Sequence, residues 1–260
     1  MKNRIYVLFV VGLIAILSAC GSKTTGEDGS ELVKDGKFIF AASGEFAPFS
    51  ETSDDGSMTG FDIDVAEAIA EKLELEPEQK KFKFAGIVEG VKSGRFDAAV
   101  ASHTITEERL EQVSFTSPYY YSGPQLFVRP ESGVKTLEEL EGKEIAVSKG
   151  STYEEFAAEV TDKIQRYDSD VVALEALNKG KHDAVITDFI TGKEAIGAGL
   201  AIEARELIGR SEQGIAVNKK NKELLDKVNK ALEELRDEGT LKEISEKYFG
   251  VDITIDPESE

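Results

Sequence analysis

Short apolar runs alternate along this chain with longer stretches in which apolar residues return every three or four positions. The runs at 38–42, 81–84, 96–100, 125–128, 144–147, 164–167, 183–186 and 213–217 have the length and the flanking Gly, Pro and polar residues of strands. Between them, Val65, Ala66, Ile69, Ala70 and Leu73 make one helical face, 87–91 makes a short helix, and 170–179 makes a helix stopped by Gly180. The longest helix is expected over 221–237, with Leu224, Leu225, Val228, Leu232 and Leu235 in register and Gly239 at its end. Capping residues mark the starts: Asp62 or Asp64, Thr106, Thr136 with Glu139, Ser151 with Glu154, and Thr240 with Glu243. Strand and helix alternating at this spacing predict an α/β fold with largely parallel sheets.

The pattern repeats once. Gly94-Arg95-Phe96-Asp97-Ala98-Ala99-Val100 is matched by Gly180-Lys181-His182-Asp183-Ala184-Val185-Ile186, and each copy ends in polar residues. Two uses of one local solution would produce this, and so would two similar lobes whose strand ends face one cleft. In open α/β sheets ligands sit at those carboxyl ends. The first end is Ala101-Ser102-His103-Thr104, running into a helix that opens at Thr106 and carries Arg109. Free N–H groups and the guanidinium fork of Arg109 suit a carboxylate. The alternative is an Arg109 paired with Glu107 or Glu111 on a solvated helix. A second hydroxyl-rich strand-to-helix turn is 148–154. Asp188, at the end of the second copy, either caps the segment after it or meets an ammonium. Phe46, on the loop after the first strand, supplies an apolar wall. An arginine, an aspartate and an aromatic wall together complement an α-amino acid zwitterion. His103 and His182 lie outside any metal-ligand spacing, so no metal or other cofactor is expected. Tyr119, Tyr120 and Tyr121 read as hinge and core packing.

Composition narrows the classes. There are 50 acidic and 31 basic residues for a formal charge of −19, which argues against a nucleic-acid-binding face. Lys2 and Arg4 precede an apolar run over 5–17 that is too short to cross a bilayer, followed by Leu17-Ser18-Ala19-Cys20-Gly21. This resembles a bacterial lipobox, with 1–19 a lipoprotein signal peptide and a lipid on Cys20, the chain's single cysteine. No internal disulfide can then form. Residues 20–36 read as a polar tether lifting a domain off the bacterial cell membrane, outside the cytoplasm, and 252–260 as a loose acidic tail.

Several motifs in fixed order carry a wider resemblance: Phe46-Ala47-Pro48-Phe49, Gly60-Phe61-Asp62-Ile63-Asp64, Thr104 to Arg109, Phe115 to Tyr120, and Asp183 to Asp188. From Phe38 to Gly250 the chain resembles the family 3 extracellular solute-binding proteins of polar amino-acid ABC transporters. The resemblance implies a two-lobe, type II periplasmic-binding-protein (Venus-flytrap) fold with two hinge strands. Lobe 1 would be 37–121 plus 217–251, and lobe 2 would be 122–216. It implies Arg109 on the ligand α-carboxylate and Asp188 on the α-amino group. Ser102 and Thr104 would join from lobe 1, Ser148, Thr152 and Tyr153 from lobe 2, and Phe46 and Phe84 would flank the side chain. Many members carry an acid at the position of Ser43, so the serine here points to a polar, non-cationic L-amino acid. The partners implied are that ligand, an ABC permease and, through Cys20, the membrane, for a monomer that is not an enzyme. The same fold also serves dehydratase-type cleft enzymes and ligand sensors for membrane receptors, which are the alternatives.

Overall fold

The structure is a computed structural model and describes residues 24–25 and 31–257. The expected signal peptide, Cys20 and most of the expected tether lie outside those residues.

Two large sheets, the first with one apolar core and the second with two, are accompanied by two small sheets of two and three strands. In the first, the strands Tyr120–Ser122, Ser211–Val217, Ala98–Thr104, Lys37–Ala42 and Glu76–Lys81 lie side by side in that order, and Ser114–Phe115 adds to Ser211–Val217. Lys37–Ala42 runs parallel to both neighbours, and Ser211–Val217 runs antiparallel to its own. In the second sheet the order is Ile164–Tyr167, Ile145–Ser148, Ala184–Asp188, Pro124–Val128 and Glu203–Leu207. Its first three strands are parallel, while Pro124–Val128 is antiparallel to both its neighbours. Helices cover these sheets because each has an apolar stripe to bury. In Lys222–Asp237 the stripe is Leu224, Val228, Ala231, Leu232 and Leu235, all buried.

The chain crosses between lobes twice, at Gly123 and at 208–210. These crossings touch backbone to backbone: a Cβ on Gly123 would lie 2.1 Å from the Gly209 carbonyl oxygen, and Ile208 N–H donates to Pro124 O at 2.9 Å. The return strand joins the first sheet from Ser211, paired with Ser122, so lobe 2 ends earlier than the expected 216.

Both ends of the first lobe reach further than the sequence pattern suggests. Leu32 is buried, and Val33 N–H donates to Asp97 Oδ1 at 2.8 Å, so the expected tether packs from about there. At the other end Ile253 and Thr254 are buried, and Tyr121 N–H donates to Ile253 O at 2.9 Å, so the start of the expected loose tail is docked; 258–260 lie outside the described residues. In both cases one or two apolar residues in a polar stretch find the core.

The internal repeat has a physical explanation. Asp97 Oδ2 accepts from Ile39 N–H at 2.7 Å while Asp97 N–H donates to Ile39 O at 2.8 Å. Asp183 does the same with Glu144, at 2.9 and 3.0 Å. In each lobe the aspartate closes a reciprocal pair that aligns its strand with the neighbour. Burial pushes the Asp97 carboxyl up to about 6 against those backbone donors.

Some local expectations differ. The strand expected at 81–84 is Glu76–Lys81, and Phe84 instead opens the helix Phe84–Lys92. Thr136 with Glu139 and Ser151 with Glu154 do not form capping boxes: Glu139 accepts from Lys135 N–H at 2.7 Å, and Glu154 from Gly150 N–H at 2.8 Å. The last helix opens on Gly239 at φ 84° with no side-chain cap. Thr106 and Asn221 do cap their helices, accepting from Arg109 N–H and Leu224 N–H, each at 3.2 Å.

Candidate functional site

A small cavity, with about 30 Å³ of free space, lies between the lobes. Ser43, Phe46, Phe84, Ser102, Thr104, Arg109, Ser148, Thr152 and Tyr153 all line it, which brings together every residue expected there except Asp188. Glu45, Ser151, Asp168, Ser169 and Asp170 complete the lining.

The first wall comes from the loop after Lys37–Ala42. Gly60, at φ 127°, lets this loop fold onto the start of the helix Phe61–Lys72: a Cβ there would lie 2.3 Å from Phe49 O. The loop carbonyls then take the helix's free N–H groups, with Phe61 N–H donating to Pro48 O at 3.1 Å and Asp62 N–H to Phe49 O at 2.9 Å. Neither Asp62 nor Asp64 is therefore needed as the cap, contrary to expectation. Phe49 anchors the loop, stacking on Phe46 at 5.0 Å and on Tyr120 at 4.9 Å and meeting Phe249 at 5.1 Å. Phe46 is thereby held at the cavity.

Relieved of capping, Asp62 turns inward and is fully buried. Tyr119 Oη donates to its Oδ1 at 2.6 Å and Ser102 Oγ to its Oδ2 at 2.8 Å, while Ser102 N–H donates back to Tyr119 Oη at 3.0 Å. This triangle holds Ser102 at φ 57°, a strained value for a serine. Burial, opposed by those two hydroxyls, pushes the Asp62 carboxyl up to about 7. The folded chain thus holds this proton more tightly than the unfolded chain. The resulting stability is complete below about pH 4 and is lost as pH rises through 7. Asp62→Asn should remove the slope, so that the stability of wild type relative to the variant falls by on the order of 2–4 kcal/mol between pH 4 and 8. Thermal unfolding of both proteins across that range tests this, and parallel profiles would refute it.

The strand Ala98–Thr104 delivers Arg109 through the helix Glu107–Gln112. Its Nη1 donates to Thr104 O at 2.8 Å and its Nη2 to Gly150 O at 3.0 Å, so the guanidinium ties lobe 1 to lobe 2. It lies 5.9 Å over the Phe84 ring, whose other contact is a stack with His103 at 4.4 Å. His103 is buried and burial pushes its pKa well down, so it is a neutral packing residue. Two further bonds cross the cleft: Lys83 Nζ to Asp168 at 2.6 Å and Ser169 Oγ to Glu45 O at 3.0 Å.

Lobe 2 contributes its wall from three adjacent strand ends. Ser148 Oγ donates to Asp170 Oδ1 at 3.0 Å, and Thr187 Oγ1 donates to the same oxygen at 2.6 Å. Asp170 is buried, and that burial raises its pKa against the two hydroxyls. Asp188 lies behind this wall. It is buried and caps the helix Phe189–Gly197, its Oδ1 accepting from Ile190 N–H at 2.8 Å. Burial pushes it up to about 7, with a contribution from the nearby Asp170 charge. The capping reading of Asp188 is therefore realised, and Asp170 is the buried lobe-2 carboxylate on the cavity. Nothing in the local pattern singled out Asp170, whose place on the helix Asp170–Asn178 reads as an ordinary first-turn acid. No group of three or more His, Cys, Asp or Glu that could hold a metal occurs among the described residues, and no described helix is long and apolar enough to cross a membrane.

Comparison with known proteins agrees with this architecture. Residues 38–251 match the bacterial extracellular solute-binding proteins, family 3. The L-cystine-binding protein TcyJ of Escherichia coli (strain K12) is 32% identical over 256 residues, covering 95% of this chain and 96% of that protein. A solved ancestral arginine-binding protein bound to glutamine superposes with a TM-score of 0.78 at 38% identity, over 83% of this chain and 98% of that one. The ancestral amino acid-binding protein AncCDT-1, a precursor of cyclohexadienyl dehydratase, gives 0.76 at 31% identity, over 82% and 96%.

Proposed function

The chain belongs to the family 3 bacterial extracellular solute-binding proteins, and from that premise we propose that it captures a polar L-amino acid between its lobes and delivers it to the permease of an ABC importer. The observation that carries this is the placing of Arg109, from lobe 1, on the same cavity as the buried carboxylate of Asp170, from lobe 2. Arg109 would grip the ligand carboxylate with its fork. The hydroxyls of Ser102, Thr104, Ser148 and Thr152 would complete the polar shell, with Phe46 and Phe84 as apolar walls. The ammonium would face the acidic wall formed by Asp170, with Asp188 behind it. Because the opposed groups come from different lobes, ligand favours the closed arrangement.

The reading extends to an acylated Cys20 that tethers a monomer to the outer face of the cell membrane. It also extends to binding without turnover. A dehydratase would need a protonated acid facing its substrate. Here the two carboxyls held near 7, Asp62 and Asp188, are both off the cavity lining, and Asp170, the raised carboxyl on it, already accepts from Ser148 and Thr187.

Thermal unfolding in the presence of a panel of amino acids tests the proposal. A ligand present at a hundred times its Kd should stabilise the protein by about 2.7 kcal/mol. No shift with any amino acid would overturn the reading.

A further inference from the structure

The cavity lining holds one basic residue, Arg109, and three acidic ones, Glu45, Asp168 and Asp170. Two of the acids are matched from lobe 1: Glu45 by Lys81 at 3.1 Å and Asp168 by Lys83 at 2.6 Å. Asp170 has no such ion pair among the described residues, and both hydroxyls that reach it fall on Oδ1, so Oδ2 takes neither. Behind it stands a second buried carboxylate, Asp188. The ammonium of a zwitterion held by Arg109 balances one negative charge, and the lobe-2 wall carries two, Asp170 on the cavity and Asp188 behind it.

We infer that Asp170 is a specificity-determining residue that meets a second positive group, so the protein selects L-amino acids with a cationic side chain. This rests on the amino-acid reading given above and deepens it. The expectation of a non-cationic ligand came from the missing acid at Ser43. That argument counted carboxylates on lobe 1 only, and Asp170 supplies the charge from the facing wall.

The surroundings of Asp170 agree. Ser148 and Thr187 bond to it, and Asp188 and the Tyr153 hydroxyl lie within its electrostatic reach. Arg109 lies across the cavity, and the Lys83–Asp168 and Lys81–Glu45 pairs are the remaining charges beside it, with Lys149 close to Asp168. Two neighbouring carboxylates in one buried wall cannot both ionise cheaply, and both are pushed up. A ligand cation takes the place of the proton.

L-arginine and L-citrulline are nearly isosteric and differ by one positive charge, so calorimetry with both isolates the effect. At about pH 8 wild type should bind arginine at least about tenfold more tightly, and Asp170→Asn should compress that ratio to about threefold or less, chiefly by weakening arginine. Equal wild-type affinities, or a ratio that survives in Asp170→Asn, would overturn the inference. Wild type alone provides a second measurement that does not depend on the variant folding: the arginine-to-citrulline ratio should fall as pH drops from about 8 to 5, and a flat ratio counts against Asp170. If glutamine or cystine binds and arginine does not, this inference fails while the amino-acid reading stands. If no amino acid binds, the reading beneath it fails.

Discussion

Arg109→Ala lowers affinity for every amino acid the protein binds by about a hundredfold or more, while the melting temperature of the ligand-free protein changes little. The side chain is the cavity's one cation, and truncating it removes a charge-assisted fork and leaves the ligand carboxylate buried without a partner, a loss of 2–5 kcal/mol or more in comparable pairs. A second contribution has the same sign. The guanidinium bonds Gly150 O across the cleft at 3.0 Å, so the variant also loses a contact that favours closure. Arg109→Lys separates the two. A lysine keeps the charge and loses the planar fork, so it should recover only part of the affinity. Isothermal titration with the best ligand of the panel measures both variants. Full affinity in Arg109→Ala would remove the proposed carboxylate grip.

Gly60→Ala destabilises the protein by about 3 kcal/mol or more, the largest effect expected of a single added methyl group in lobe 1. Two costs coincide at this position. A Cβ would lie 2.3 Å from Phe49 O and 2.8 Å from Pro48 O, both rigid backbone atoms, and φ of 127° is open to glycine and strained for alanine. The loop must lift, and the carbonyls that cap the helix Phe61–Lys72 lift with it. Phe49 and Phe46 then move together, because they stack at 5.0 Å. Weaker ligand binding should therefore accompany the lower stability. Chemical denaturation with binding measured on the same samples provides the check. An unchanged midpoint would show that the loop is not held as described.

The local chemistry of Arg109 could be read along the chain. Its helix is capped by Thr106, three residues before it, and it bonds back to Thr104, so its attachment to lobe 1 is set within five residues, while its bond to Gly150 comes only with the fold. The strands 38–42 and 213–217 were legible for the same reason: a run of buried apolar residues is itself the signal. Asp62 and Asp170 were not legible, because their partners come from elsewhere in the fold. Asp62 is bonded by Ser102 and Tyr119, 40 and 57 residues away, and Asp170 by Ser148 and Thr187, 22 and 17 residues away on two separate strands. Asp188 shows the opposite case. Its local role as a cap was one of the two readings open from the start, and the fold realised that one.

By itself the order of apolar and polar residues determined most of the elements and their α/β alternation, since burial of periodic apolar faces needs only near neighbours and a hydrophobic drive, whereas the two-lobe plan was implied by the family resemblance. Tertiary structure alone decided which carboxylates are buried, which are matched by lysines and which one reaches the cavity. Charge recognition depends on distance and desolvation between groups that are far apart along the chain, and those come into being only when the lobes have folded and met.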